Sequence, residues 1–464
     1  MWKNTLFTED NLHVMQGLDD KIIDLIYLDP PFNSKRLYDA PVGSKAAGAS
    51  FNDMWTWDDV DEAYLEDMIS NYPSLVQFIQ SVGDIYNKNM KAYITYMSQR
   101  IIQMKRVLKD DGLIYLHCDS TASHYLKIIM DKIFGKSNFI NEIYWKRVAV
   151  SGKGSQFKPK KFGSNTDIIL SYSKSKDYYF NPFKILNDEE MKEKFPYGIK
   201  PKRYKLGTRL FRSPTAGDRP NLCFEWRGHK EQSSAGWALS KERLEEEYQK
   251  GNVVIKSNGK LERRVYEDDY VGEPIGNLWN DLENMSSNER TGYPTQKPLS
   301  LIKRIIETSS KPGDLVLDPF CGCATTCIAA QQLDRKWIGI DISATSARLV
   351  AERLDDDAGL FSDFVHLSQA PKRNNIKEIK ITKNVRDKIY EIQKAKCNAC
   401  SAEMELRNLE LDHIIPRAKG GGDYFENFQL LCSSCNRVKG DRPMAYLKLK
   451  LEKMNEKMKY KISF

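Results

Sequence analysis

The sequence predicts an α/β chain in two unequal parts: a large sheet-and-helix domain interrupted by an irregular insertion, then a small metal-braced module. Three observations lead there. Short apolar runs alternate with helically periodic stretches over residues 23–172 and again over 299–341. The stretch between them loses that periodicity and is rich in aromatic, glycine and basic residues. Two C-x-x-C pairs, Cys397/Cys400 and Cys432/Cys435, bracket a short segment near the end.

The bulk numbers set limits. At 464 residues, two to four domains fit. A hydrophobic fraction of 41% and a mean hydropathy of −0.56 suit a globular protein. No apolar run approaches the ~20 residues of a membrane span, and residues 1–12 lack the basic-then-apolar order of a signal peptide; a cytoplasmic protein with no membrane partner is expected. The net charge of +8 permits a polyanionic partner. Basic runs at 146–161, 372–396 and beyond Arg437 flank separate motifs and favour nucleic acid, against an acidic stretch at 53–67. Nine cysteines, an odd number in a chain of this type, argue against disulfides.

The elements follow in order. Ile23–Leu28 is apolar throughout except for Asp24, as in a buried parallel strand. A helix is expected over 93–108, a strand over 112–117, a helix over 123–134, and strands over 142–145 and 168–172. Residues 152–288 form the insertion, with a helix near 241–250 and a hairpin whose arms, 253–256 and 261–266, flank Ser257-Asn258-Gly259. The alternation then resumes with a helix over Leu299–Ser309, a strand over 315–317, a helix over 325–333 and a strand over 337–340. The charged stretch 369–384 reads as linker. The expected boundaries are 1–151 and 289–368 for the two halves of the large domain, 152–288 for the insertion, 369–395 for the linker and 396–464 for the module.

Directly after the first strand comes Asp29-Pro30-Pro31-Phe32. In open α/β sheets, sites lie at the carboxyl ends of strands. An aromatic amine is a weak nucleophile because its lone pair is spread into the ring. Hydrogen bonds accepted from that amine favour a pyramidal nitrogen. Asp29 can accept one and the Pro30 carbonyl the other. The prolines fix the backbone and offer no competing N–H. Phe32 presents a flat face for a base extruded from a duplex. A plain strand-to-loop turn would explain the prolines alone.

The second constellation runs from Leu315 to Thr326, LVLDPFCGCATT, a strand entering a loop of small residues and then a helix. Asp318, Phe320, Gly322 and Thr325 fall in it, and its small residues let a backbone approach a nucleotide cofactor. Asp341, at the end of the next strand, suits two ribose hydroxyls. A tight turn and an unrelated acid would account for these residues equally well taken alone. Cys321, Cys323 and Cys327 have no histidine nearby and read as small buried hydrophobes.

Together these motifs resemble the amino-methylating DNA methyltransferases in which the catalytic motif precedes the cofactor motif, over about residues 1 to 365. The resemblance implies a Rossmann-like fold, S-adenosylmethionine as methyl donor, double-stranded DNA as partner and an inserted target-recognition region. It matches Thr8-Glu9-Asp10-Asn11-Leu12, placing Asp10 near the cofactor adenine. It matches 141–146, closing the catalytic half. It matches 292–298, in which Thr295, Gln296 and Lys297 face the cofactor. Ala324 stands where the family usually has a second glycine. Aspartate at position 29 leans towards adenine; serine there leans towards the 4-amino group of cytosine. A 5-carbon cytosine methylase would need a Pro-Cys pair, which the chain lacks.

In the module, Cys397, Cys400, Cys432 and Cys435 supply four thiols, a closed structural zinc set. Between and after the pairs lie Asp412-His413, Asn427 and Asn436, which resemble HNH endonucleases and imply a ββα-metal fold. The resemblance implies His413 as general base, Asn427 orienting it, and Asp412 and Asn436 holding Mg²⁺ against the scissile phosphate. Neutral imidazole chemistry and a hard cation with oxygen ligands fit those roles. His117, in a strand, reads as a core residue or one behind the site. The leading expectation is a single-chain restriction–modification enzyme, with room for a homodimer. The rivals are a solitary methyltransferase with a DNA-binding finger, a cytosine N4 enzyme and a methylation-dependent nuclease.

Overall fold

A computed structural model of the chain describes residues 2, 4–33, 37–41, 43–53, 55–60, 65–147, 162, 165–184, 186–200, 202–207, 210–230, 234–282, 285, 289–358, 364–374, 379–414, 416–417, 421–442 and 447. Most of the expected basic run 146–161, and the tail beyond Arg442 apart from Leu447, lie outside the described residues. The chain divides into two compact units: residues 1–181 with 277–464, and 182–276.

The first unit is built on a nine-stranded sheet. Its strands are β1 (Thr5–Thr8), β2 (Ile23–Leu28), β3 (Leu108–Cys118), β4 (Phe139–Lys146), β5 (Thr166–Ser173), β6 (Leu278–Trp279), β7 (Leu315–Asp318), β8 (Lys336–Asp341) and β9 (Val365–Leu367). They lie in the order β6-β4-β5-β3-β2-β7-β8-β1-β9. Only β5 runs antiparallel to its neighbours, β3 and β4; the other pairs are parallel. β5 and β6 fall within the expected insertion 152–288, but their backbone bonds go to the sheet, so the compact inserted unit is narrower than the sequence suggests.

β2 and β7 lie side by side at the centre, and from them the order departs in opposite directions. A crevice at such a switch point is where open α/β sheets bind ligands. The helices supply the cover. α1 (Asn11–Gly17) opens with Asp10 as N-cap, its side chain accepting from the Leu12 N–H at 2.7 Å. α2 (Lys88–Val107) buries Tyr93, Ile94, Met97, Ile101, Met104 and Val107 in one core stripe. It starts five residues before the expected helix because Asn87 caps a polar first turn, accepting from Met90 N–H at 2.9 Å. α3 (Ser123–Met130) ends in a π-turn over Asp131–Gly135, at the end of the expected helix and one residue past it. α4 (Leu299–Ser309), α5 (Thr325–Gln332) and α6 (Ala344–Ala358) complete the set on the cofactor side.

The module belongs to the same unit. α7 (Lys383–Ile392), within the expected linker, covers a hairpin of β10 (Leu409–His413) and β11 (Phe428–Cys432), followed by α8 (Ser433–Lys439). Its buried core is small: Ile389, Leu409, Phe428, Leu430, Leu431 and Leu447 with three of the four cysteines.

The second unit has a three-stranded antiparallel sheet of Tyr204–Gly207, Val253–Ile255 and Leu261–Tyr266, with the expected hairpin at its edge. Trp226, Trp237 and Leu244 anchor its core. No helix among the described residues is long and apolar enough to cross a membrane.

Candidate active site and four-cysteine module

A cavity of about 350 Å³ opens at the carboxyl ends of β2, β7 and β8, within the size range of small-ligand sites. It is lined by Asp10, Asp29, Pro30, Pro31, Phe32, Thr295, Gln296, Lys297, Asp318, Phe320, Gly322, Thr325 and Asp341. Two sequence-distant motifs thus share one chamber.

Asp29 is held from one side only. Lys297 Nζ donates to its Oδ2 at 2.5 Å, while Oδ1 is buried and has no hydrogen-bond partner among the described residues. A buried, unpaired carboxylate oxygen is costly, and it marks the place where a ligand donor fits. The Lys297 ammonium also stands 5.3 Å from the centre of the Phe32 ring. Asn33 follows at a positive φ of 60°, its N–H donating to buried Asp53 at 2.7 Å. That bond fixes the exit of the loop.

The small-residue loop is shaped by close approach. Gly322 has φ +50°, and a Cβ there would lie 3.0 Å from the Tyr293 ring. Ala324 adopts a left-handed φ of 60° at the start of α5, a conformation that costs an alanine about 1 kcal/mol; the geometry explains why glycine suits this position. Asp318 accepts from the Phe320 N–H at 3.0 Å and from the Thr326 hydroxyl at 2.5 Å. Burial, with the charges of Asp29 and Asp341 adding to it, pushes its carboxyl up to about 7. Asp341 accepts from Gly322 N–H (3.0 Å), Ser343 N–H (2.8 Å) and the Ser346 hydroxyl (2.9 Å), which leaves a carboxylate about one further acceptor position. Burial raises its pKa as well.

The remaining expected residues take supporting positions. Gln296 accepts from Thr291 N–H and hydroxyl at 2.9 and 2.8 Å and donates to the Glu289 carbonyl at 2.8 Å, so it ties its own loop together. Thr295 has a left-handed φ of 65°. Asp10, besides capping α1, receives both of its 3.0 Å bonds from Nη2 of Arg100, a buried side chain stacked 3.3 Å over Tyr96. Arg100 and Asp53 were missed as site-supporting residues, since nothing local in the sequence distinguishes them.

In the module, the Sγ atoms of Cys397, Cys400, Cys432 and Cys435 all lie within 4.8 Å of one another, the only potential metal group of three or more such side chains among the described residues. Burial raises the Cys397 thiol, but backbone N–H groups of Cys400, Cys432 and Ala399 bring it down to about 7. This donor set suits zinc. Cys321, Cys323 and Cys327 are simply buried as free thiols, and the Cys321 thiol is pushed up by its hydrogen bond with the Cys327 thiol and by burial.

His413 Nε2 meets Asp423 Oδ1 at 2.7 Å. Asn427 braces the turn on both sides: its carbonyl accepts from Ile414 N–H at 2.8 Å and its amide donates to the Gly422 carbonyl at 3.0 Å. The carboxylate on the imidazole is therefore Asp423, absent from the expected set. Asp412 accepts from Gln429 at 2.8 Å and pairs with the fully buried Lys439 at 3.0 Å. Asn436 donates to Glu410 at 2.7 Å, leaving its amide oxygen as a ligand atom. Asp412 also retains acceptor capacity, and carboxylate and amide oxygens are donor types that a hard cation takes.

Comparison with known proteins gives two family matches: a DNA methylase family (N6/N4) over residues 23–352, and HNH endonuclease over residues 397–442. Among relatives, the type II methyltransferase M.EcaI of Enterobacter cloacae is 34% identical over 286 residues, 60% of this chain and 60% of that protein. The StyLTI Mod subunit, a type III restriction-modification enzyme of Salmonella typhimurium, is 26% identical over 72% of this chain and 50% of its own length. The DNA adenine methyltransferase YhdJ of Escherichia coli is 24% identical over 76% of this chain and 82% of its own. The chain thus spans 60% and 50% of the length of the first two.

Proposed function

Because the chain belongs to the N6/N4 DNA methylase family, we propose that it transfers a methyl group to the exocyclic amine of adenine within a specific sequence of double-stranded DNA, and that its HNH module cleaves DNA. One chain then carries modification and restriction. The observation that carries the first half is Asp29, a residue lining the cavity, with Oδ2 tied to Lys297 and Oδ1 buried without a hydrogen-bond partner among the described residues.

S-Adenosylmethionine would be held by Asp10, Thr295, Gln296, Lys297, Asp318, Phe320, Gly322, Thr325 and Asp341, and it supplies an electrophilic methyl group on a positively charged sulfur. The fit rests on the bare Cα of Gly322, which lets the loop approach closely, and on two carboxylates, Asp318 and Asp341, at adjacent strand ends. The chain's own groups then prepare the nucleophile. Asp29 Oδ1 accepts one amine hydrogen and the Pro30 carbonyl the other, which localises the nitrogen lone pair. Lys297 keeps the carboxylate from turning away. Phe32 stacks on the extruded base. The surplus proton is taken up at Asp29 Oδ1. Adenine is favoured by aspartate at position 29 and by the likeness to an adenine methyltransferase.

In the module, a carboxylate can only accept, so Asp423 takes the Nε2–H of a neutral His413 and leaves Nδ1 to remove a proton from water. Asp412 and Asn436 would hold Mg²⁺, which supplies positive charge against the phosphate. Zinc braces the hairpin.

The test is plasmid digestion with Mg²⁺ and no methyl donor. It compares unmodified plasmid with plasmid from cells expressing the His413→Ala protein. Cutting of the unmodified plasmid alone is the expected result. Cutting of the modified plasmid alone would mark a methylation-dependent nuclease, and no cutting of either would leave a methyltransferase with a DNA-binding finger.

A further inference from the structure

We infer that His117 is a positioning residue for the target base: it holds the Phe32 ring in the plane against which the extruded base stacks. This rests on the base-capture role proposed for Phe32.

His117 is fully buried on β3, one strand over from the catalytic loop. Its Nδ1 lies 2.9 Å from the Tyr27 hydroxyl and its Nε2 3.2 Å from Asp167 Oδ2. Asp167 is itself buried. The carboxylate can only accept, so Nε2 carries the hydrogen, and a neutral ring accepts the Tyr27 O–H at Nδ1. The tautomer and the ring plane are thereby fixed by two neighbouring strands, β2 and β5. Trp145 closes a third side, its ring edge-on at 5.7 Å and 83°. Phe32 lies against the imidazole with centroids 6.0 Å apart and only 21° between planes, within the range of offset aromatic contact. An aliphatic side chain could fill the space, but only a ring bonded at both nitrogens gives Phe32 a backing of defined orientation. Phe32 also lines the cavity, so an error in its plane passes directly to the bound base.

The test is a double-mutant cycle on single-turnover methyl transfer. His117→Ala should slow the step roughly tenfold or more, with S-adenosylmethionine affinity held within about twofold. In a Phe32→Ala background the same change should cost less than about twofold, because the partner through which it acts is gone. His117→Gln keeps a donor for Asp167 and serves if the alanine variant folds poorly; it should show the same dependence on Phe32. Losses that multiply in the double variant would overturn the inference. If the parent transfers no methyl group, the proposed function fails separately. A ¹⁹F label on the Phe32 ring then decides this one: its resonance should move on His117→Gln, and an unmoved resonance would overturn it.

Discussion

At the carboxyl end of the large sheet, Asp29 meets Lys297 and Asp10 meets Arg100, pairs separated by 268 and 90 positions in the sequence. In the four-cysteine module, Asp423 lies 10 positions from His413, and Lys439 lies 27 from Asp412. The first site is assembled by a fold that brings distant strand ends together over a core of some three dozen buried residues. The second is assembled locally, in a segment whose core holds nine, three of them cysteines. A domain that small gains little from apolar burial, and a metal brace on its four cysteines would supply what the core does not. The same chain therefore holds two chemically loaded sites by different means, one by sheet topology and one around a four-cysteine cluster that suits a metal ion.

The largest effect should separate them. Stripping the zinc with a chelator removes a stabilisation on the order of 10 kcal/mol. The module should lose its protease resistance and its cleavage activity, while methyl transfer stays within about twofold. Loss of both activities together would show that the sheet domain depends on the module.

The next effect sharpens the electrostatics of the sheet site. Burial chiefly pushes the Asp318 carboxyl up to about 7. Its ionised form attracts a cationic ligand, so S-adenosylmethionine affinity should rise as pH increases through that value. Between pH 6 and 7.5 the gain should be several-fold, on the order of the change in ionised fraction. Asp318→Asn should flatten the dependence; calorimetric titration at the two pH values reads both.

The smallest effect probes backbone strain. Ala324→Gly relieves the left-handed alanine, worth about 1 kcal/mol, and loses a buried methyl of similar worth. Thermal unfolding should move by less than about 1 kcal/mol, with cofactor affinity unchanged.

Local signals in the sequence carried much of this arrangement. The β2 run, the amphipathic α4 and the C-x-x-C pairs each express a period or spacing within a few residues, and each stands where expected. The early start of α2 did not show because its first turn is polar and held by Asn87 rather than by burial. The antiparallel course of β5 did not show because an apolar run carries no direction. Arg100, Asp53 and Asp423 stayed hidden for one reason: each acts through a partner that only the fold selects.

The central claim is that Asp29 presents an acceptor to the amine of a DNA adenine. The most direct measurement incubates DNA with the protein and isotopically labelled S-adenosylmethionine, digests the product to nucleosides and identifies the labelled one by mass spectrometry. The account predicts N6-methyladenine from the parent protein and none from Asp29→Ala, whose affinity for the methyl donor should stay within about threefold. Label on cytosine, or an Asp29→Ala protein that still methylates adenine, would contradict it.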